Sequence, residues 1–149
     1  MTVATCAGVG YVPWAPGTFG SAVGLVLLWG LRSSGSVVLE IAVLAVVLAA
    51  GVWSGSVAER HAGHVDPGIV VIDEVAGMLI TLAFIPLTLT TVTVGFFVFR
   101  ALDIFKPWPA GRAEQWPGGT GIMADDAVAG LYSNLATRGL ISVASGWLT

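Results

Sequence analysis

One segment restricts the possible folds more than any other: Val37 to about Val57, VVLEIAVLAVVLAAGVWSGSV, has a single charged residue, Glu40. An apolar run of about 20 residues is long enough for an α-helix to cross the hydrocarbon core of a bilayer. The rest of the chain suits the same solvent, because only 10% of its 149 residues are charged, whereas soluble domains carry about 25%. The sequence therefore predicts one membrane-embedded domain over residues 1–149.

Four further segments complete a predicted all-α fold, a small integral membrane helical bundle of about four to five transmembrane or partly inserted helices. In chain order they are Thr18–Leu31, Asp73–Ile85, Thr91–Phe105 and Asp125–Leu148. Only the last of these four has the length of a full span. The other three are short, so we expect them to be partly inserted or to thin the bilayer.

Basic residues orient the predicted bundle. If the helices alternate in direction, Arg60, Arg100, Lys106 and Arg112 fall on one side of the membrane and Arg32 on the other. Positive charge marks the cytoplasmic side, so we expect the first side to face the cytoplasm. The net charge of −3 and the scarcity of Lys and Arg argue against a nucleic-acid partner. The single cysteine excludes an internal disulfide and a CxxC metal site.

Most acidic side chains gather on the same predicted side. They are Asp66, Asp73, Glu74, Asp103, Asp125 and Asp126, whereas Glu40 falls near the opposite end. Four of the six open predicted helices, where a negative charge is favourable by about 0.3–1 kcal/mol, so capping alone explains any one of them. Capping does not require acidic pairs twice, and it does not explain Asp103 at the C-terminal end of a helix. The group as a whole indicates a functional site.

The stretch FRALDIFKPWP adds two cations to these carboxylates. Arg100, Asp103 and Lys106 follow one another at three-residue steps, and Pro107 ends the helix. One interpretation is an ion pair between Arg100 and Asp103 whose charged groups extend to the aqueous surface. The alternative is a site for a metal ion and a phosphate, since carboxylates bind hard divalent cations and Arg and Lys bind phosphate oxygens. Mg²⁺ is the natural candidate, because it keeps waters and phosphate among its ligands.

A glycine-rich turn precedes the first predicted helix in YVPWAPGTFGSAVG. Gly17, Thr18 and Ser21 lie at the start of that helix, where free N–H groups are able to bind an anion. A capped turn at the membrane surface is the simpler interpretation of the spacing alone. The other interpretation is that these three residues bind the phosphate of the substrate.

Four motifs occur in an order that resembles the bacterial phosphatidylglycerophosphatase A family: APGTFGS, DPGIVVIDEVAGM, FRALDIFKPWP and GGTGIMADDAVAG. The resemblance runs from about Gly8 to Leu135. It implies a membrane-embedded, Mg²⁺-dependent hydrolase that converts phosphatidylglycerophosphate to phosphatidylglycerol and inorganic phosphate, in the bacterial inner membrane with the active site facing the cytoplasm. The implied site comprises Asp66, Asp73, Glu74, Arg100, Asp103, Lys106, Asp125 and Asp126.

The absence of other phosphatase motifs favours metal-assisted hydrolysis. The sequence contains no DxDx[TV], no CxxxxxR and no histidine after Ser-Gly. We therefore expect four residues to hold Mg²⁺, namely Glu74, Asp103, Asp125 and Asp126. Asp73 is the expected general base, Arg100 and Lys106 the expected phosphate ligands, and Asp66 an acidic support.

Two alternatives stay open at this stage. The first is a phosphatase for another lipid phosphate, such as phosphatidic acid, because no residue identifiably recognises a glycerol head group. The second is a small ion-coupled transporter, which predicts carboxylates distributed through the depth of the membrane.

Overall fold

The computed structural model describes residues 1–147, and their side chains as far as residue 144. Every regular element within residues 1–147 is helical, which confirms the all-α prediction. A short 3₁₀ helix, Val9–Tyr11, precedes six α-helices. These are α1 (Pro16–Ser33), α2 (Val37–Ala62), α3 (Ile72–Thr81), α4 (Leu89–Phe105), α5 (Ala110–Ala113) and α6 (Gly119–Trp147).

The helix boundaries differ from the predicted ones where local polar contacts extend or end a helix. The predicted end of α2 at Val57 is wrong, because the helix continues to Ala62 and ends at Gly63, whose φ of 76° is left-handed. The predicted start of the last helix at Asp125 is also wrong. That helix, α6, begins at Gly119, whose N–H donates to the Ser56 hydroxyl at 2.8 Å. The predicted last residue, Leu148, lies outside the described residues.

The shortest of the long segments, α3, forms the centre of the bundle. It ends at Thr81, before the predicted Ile85, and packs against α1, α2, α4 and α6. Gly24 lets α1 approach closely, since a Cβ there would lie 2.9 Å from the Cβ of Met78. Met78 and Phe99, both fully buried, belong to the apolar cluster that α3 shares with its neighbours.

The long helices alternate in direction, as the charge argument required. Helices α1 and α3 run parallel, since Gly17 faces Glu74 and Gly24 faces Met78. Helix α2 runs antiparallel to α6, because Gly51 faces Met123 and Gly55 lies beside Gly119. The N-terminal ends of α1, α3 and α6 therefore lie at the same end of the bundle as the C-terminal ends of α2 and α4. We call this the acidic end.

Within residues 1–147, α2 is the one helix long and apolar enough to cross a bilayer. Helix α6 has the length but not the apolar composition, because Asp125, Asp126 and Arg138 lie within it. Only one of the two full spans that the sequence predicts is therefore supported by both length and composition.

At the opposite end of the bundle, long polar side chains cover the turn that follows α3. Arg32 donates to the carbonyls of residues 82 and 85 at 3.0 and 2.8 Å, and its Nε lies 2.6 Å from Glu40 Oε1. The two N–H groups of Asn134 Nδ2 are shared among three carbonyls of residues 80–83, at 2.9–3.1 Å. Arg138 donates to the carbonyls of residues 83 and 84. These bonds compensate for the early end of α3 by satisfying carbonyls that no helix covers.

Candidate active site

Three carboxylates meet at the N-terminal end of α3. Asp73 and Glu74 lie in the first turn of α3, and Asp126 projects from α6, which packs beside it. One oxygen from each carboxylate lies within 4.8 Å of the others. Asp73 and Asp126 are buried, and Glu74 is partly buried. We call these three residues the acidic triad.

Each residue of the triad has a buried oxygen without a hydrogen-bond partner. These atoms are Asp73 Oδ1, Glu74 Oε2 and Asp126 Oδ2. A buried polar atom without a partner costs about 1–3 kcal/mol, so native proteins keep few of them. Three carboxylate oxygens at this spacing fit a hard divalent cation, which takes oxygen ligands. The residues present therefore fit the expected Mg²⁺ site, although the set includes Asp73 and lacks Asp103 and Asp125, which the sequence predicted as ligands.

The pKa of Asp73 reflects the closeness of the three carboxylates in the triad. Burial, reinforced by the negative charges of Glu74 and Asp126, raises the pKa of Asp73 well above its usual range. A bound cation would reverse this effect by favouring the ionised carboxylate.

Arg100, near the end of α4, borders the triad. Its Nη1 donates to Asp103 Oδ2 at 2.5 Å and lies 3.7 Å from Glu74 Oε1. Asp103 in turn lies within interaction distance of Asp126. The expected convergence of Asp103 and Asp126, which are 23 positions apart in the sequence, is thus present in the structure.

The start of α1 closes this side of the site, and a side chain at its second position would have to displace Glu74 and Arg100. A Cβ on Gly17 would lie 2.2 Å from Glu74 Oε1 and 2.9 Å from both terminal nitrogens of Arg100. The N–H of Thr18 donates to the Ala15 carbonyl at 2.9 Å, and the Ser21 hydroxyl donates to the Gly17 carbonyl at 2.9 Å. Thr18 and Ser21 therefore lie near the site but already use these donors within their own helix.

Lys106 lies among a second group of carboxylates, beside the triad. Its Nζ donates to Glu114 Oε1 and to Asp125 Oδ2, both at 2.7 Å, and lies 3.9 Å from Asp66 Oδ2. Burial alone would lower the pKa of Lys106, but the bonds to Asp125 and Glu114 outweigh burial and raise it. Burial also raises the pKa of Asp66, an effect that Lys106 opposes. Lys106 is therefore a cation whose partners are all anionic.

Sequence reasoning missed Glu114 among these groups. The residue follows α5, a single turn of helix that the periodicity of the sequence does not indicate. One signal was present: Glu114 is the only acidic residue between Lys106 and Ala124. The side chain bonds to a predicted phosphate ligand, so it belongs to the site.

Asp125 and Asp126 do not cap a helix. They lie inside α6, six and seven residues after its first residue, Gly119, so the capping interpretation is wrong for both. The two residues are 4% and 3% exposed. Neighbouring positions on a helix point about 100° apart, and accordingly Asp126 faces the triad whereas Asp125 faces Lys106. The pair DD thus links the two groups of charges.

Comparison with known proteins agrees with the motifs. The profile of a family described as "Phosphatidylglycerophosphatase A" matches residues 2–141. A phosphatidylglycerophosphatase A from Escherichia coli is 38% identical over 85% of this chain and 74% of its own length. The Haemophilus influenzae protein of the same name is 35% identical over 85% and 78%. A Bacteroides thetaiotaomicron protein, named as a candidate phosphatidylinositol-3-phosphatase, is 35% identical over 89% and 87%. No solved structure matches the chain.

Proposed function

The chain belongs to the phosphatidylglycerophosphatase A family, a family of phosphoric monoester hydrolases, and on that premise we propose that it hydrolyses phosphatidylglycerophosphate. The products would be phosphatidylglycerol and inorganic phosphate, which makes the reaction a step in phosphatidylglycerol synthesis. The observation that carries the proposal is the acidic triad. One oxygen from each of its carboxylates lies within 4.8 Å of the others, each residue has a buried oxygen without a hydrogen-bond partner, and two basic side chains lie beside the group.

The proposed cofactor is Mg²⁺, held by Asp73, Glu74 and Asp126. When bound, the ion would offset the negative charge of the phosphate and favour the hydroxide form of a water. The assignment differs from the sequence-based one in two ways. Asp103 and Asp125 are engaged by Arg100 and Lys106, and Asp73 replaces them among the ligands.

The remaining charged residues have roles that follow from their partners. Arg100 presents a planar guanidinium with several donors, which suits phosphoryl oxygens and the charge that develops on them. Lys106 supplies a second positive charge from the side of Asp125 and Asp66. Gly17 lets the start of α1 approach Glu74 and Arg100 closely, because a Cβ there would lie within 2.9 Å of both side chains.

Proton transfer is assigned to Asp103. This carboxylate lies between Arg100 and Asp126, which is where an attacking water and the phosphate would meet. The water oxygen bonds to phosphorus, Asp103 accepts the proton of the water, and the bond from phosphorus to the glycerol oxygen breaks. Asp103 then donates this proton to the glycerol oxygen, which leaves as a hydroxyl, and Asp103 returns to its carboxylate form. Asp73, the expected base, becomes a cation ligand because it belongs to the triad.

We place the bundle in the bacterial inner membrane with the acidic end at the cytoplasmic face. Three observations support this placement. Helix α2 has the length and composition of a span. Large apolar side chains are exposed on the helix surfaces, among them Val26, Trp29, Val46 and Phe97. The cations of the acidic end outnumber those of the opposite end, as the positive-inside rule expects.

A second candidate function is hydrolysis of a different lipid phosphate, which the Bacteroides relative favours by its name. The transporter alternative is weaker, because the acidic side chains other than Glu40 gather at one end instead of lining the depth of the bundle.

Phosphate release from a panel of lipids in detergent separates these functions. The panel contains phosphatidylglycerophosphate, phosphatidic acid and phosphatidylinositol 3-phosphate, each assayed with Mg²⁺ and with EDTA. We expect kcat/KM for phosphatidylglycerophosphate to exceed the others by about tenfold or more, and EDTA to abolish release. Comparable rates across the panel would indicate a broad lipid phosphatase. No release from any lipid would overturn the assignment as an enzyme.

A further inference from the structure

An apolar groove runs between α1 and the start of α4, on the outside of the bundle. Its volume is about 430 Å³, within the roughly 300–1,000 Å³ of pockets that bind small organic ligands. The groove is lined by Leu25, Val26 and Trp29 of α1 and by Leu87, Thr88, Leu89 and Val92. Val26 is 69% exposed and Leu89 86% exposed, so no part of residues 1–147 covers their side chains.

The groove and the acidic end share the same two helices. Gly17 of α1 and Arg100 of α4 meet at the acidic end, and Leu25 and Val92 meet in the groove. Eight residues separate Gly17 from Leu25 on α1, and eight separate Val92 from Arg100 on α4. At 1.5 Å per residue this corresponds to about 12 Å. The groove therefore lies a fixed distance below the site, on the side away from the cytoplasm in the proposed orientation.

The helix faces between the two places are continuous. On α4, Arg100, Phe96 and Val92 follow at four-residue steps, so they lie on one face. On α1, the corresponding face carries Thr18 and Ala22 before it reaches Leu25. Both α1 residues have small side chains, and Ala22 is exposed on the surface between the site and the groove.

We propose that this groove binds an acyl chain of the lipid whose phosphate is hydrolysed at the acidic end. The inference rests on the proposed function. The occupant is chosen by the chemistry of the two ends: charged residues bind the phosphate, the head group and glycerol fill the stretch beside Thr18 and Ala22, and the apolar wall takes hydrocarbon. Binding energy from this remote part of the substrate would hold the phosphate in register with the site.

The test compares long-chain with short-chain phosphatidylglycerophosphate, carrying palmitoyl and hexanoyl groups, in one detergent. Val26→Trp fills the groove from α1. We expect it to lower the ratio of kcat/KM for the long-chain to the short-chain substrate by about tenfold, the scale on which apolar pockets discriminate chain volume. Leu89→Trp fills the groove from α4 and is expected to act in the same direction. Both positions are exposed, so neither change disturbs the core.

Val46→Trp is the matched control, because Val46 is a comparably exposed valine, 66%, on the surface of α2. It should leave the ratio as in the unaltered protein. An unchanged ratio in both groove variants, or an equal fall in the control, would overturn the groove and indicate bulk lipid around the bundle. Failure of the proposed function has a different result: the unaltered protein would then release phosphate from neither substrate.

Discussion

Polar side chains are held in opposite ways at the two ends of α3. At its C-terminal end, Arg32, Asn134 and Arg138 donate hydrogen bonds to backbone carbonyls of the following turn. At its N-terminal end, Asp73 and Glu74 crowd with other carboxylates, and several buried oxygens have no partner. At the C-terminal end, side chains satisfy the backbone carbonyls. At the N-terminal end, no side chain caps the helix, and the acidic side chains lie close to one another.

The difference separates structural polar groups from functional ones. Satisfied donors at the C-terminal end stabilise a helix that stops after ten residues. Unpartnered carboxylate oxygens destabilise the folded chain, and such strain persists in proteins mainly where a ligand uses it. Burial and composition alone would not distinguish the two ends, because both are polar regions in an apolar bundle. The partners of each atom distinguish them.

The largest expected effect comes from the acidic triad. Asp126→Asn should lower kcat/KM for phosphatidylglycerophosphate by about a thousandfold, since it removes a cation ligand. The midpoint of thermal unfolding without Mg²⁺ should stay the same or rise, because the change relieves repulsion between buried carboxylates. Glu40→Gln is the control at the other end, where the carboxylate pairs with Arg32. That variant should keep its activity and lose stability. Loss of activity in Glu40→Gln, together with loss of stability alone in Asp126→Asn, would contradict the difference between the two ends.

An intermediate effect is expected from the group around Lys106. Lys106→Met removes a positive charge from the site and leaves Asp125 and Glu114 without their shared donor, so we expect a loss of about a hundredfold in kcat/KM. Glu114→Gln keeps the bond from Lys106 to Asp125, so its loss should stay within about tenfold. Steady-state kinetics of both variants check the order. An equal loss in the two would assign Glu114 a direct role in the reaction.

The smallest expected effect on activity, with a clear effect on stability, comes from Asn134→Ala. The side chain donates to three carbonyls after α3, and its removal should lower the free energy of unfolding by about 1–3 kcal/mol. Activity per folded molecule should change by less than about twofold, because the turn lies at the end away from the site. Urea unfolding followed by tryptophan fluorescence measures the first quantity. A loss of activity without a loss of stability would contradict the structural role.

Much of the site could be predicted from the sequence, because motif residues at helix ends converge whenever helices alternate in direction. Asp73, Glu74 and Asp103 lie where the predicted helix ends place them. The predicted boundaries were wrong where side chains bond to helix ends: a hydroxyl on α2 accepts from the first N–H of α6, and three side chains donate to the carbonyls that the early end of α3 leaves free. One of the partners of Lys106, Glu114, could not be predicted either. Glu114 reaches it by a single turn of helix that no periodicity signals.

The grouping of carboxylates depended on the same kind of detail. Asp125 and Asp126 are neighbours in the sequence, yet their side chains belong to different groups because successive residues of α6 point about 100° apart. Asp73 joins the cation ligands for a similar reason, since its neighbour Glu74 and the distant Asp126 both turn toward it. Helix ends can be estimated from sequence, but the rotation of each helix is set by packing.

Direct binding of a divalent cation tests the central claim most plainly. Mn²⁺ is a spectroscopic substitute for Mg²⁺, and its binding to purified protein in detergent can be followed by electron paramagnetic resonance. We predict saturable binding to the unaltered protein and to Asp103→Asn, which loses activity but keeps the triad, and loss of that binding in Asp126→Asn. Equal binding by all three proteins, or none by the unaltered protein, would contradict a cation site at the N-terminal end of α3.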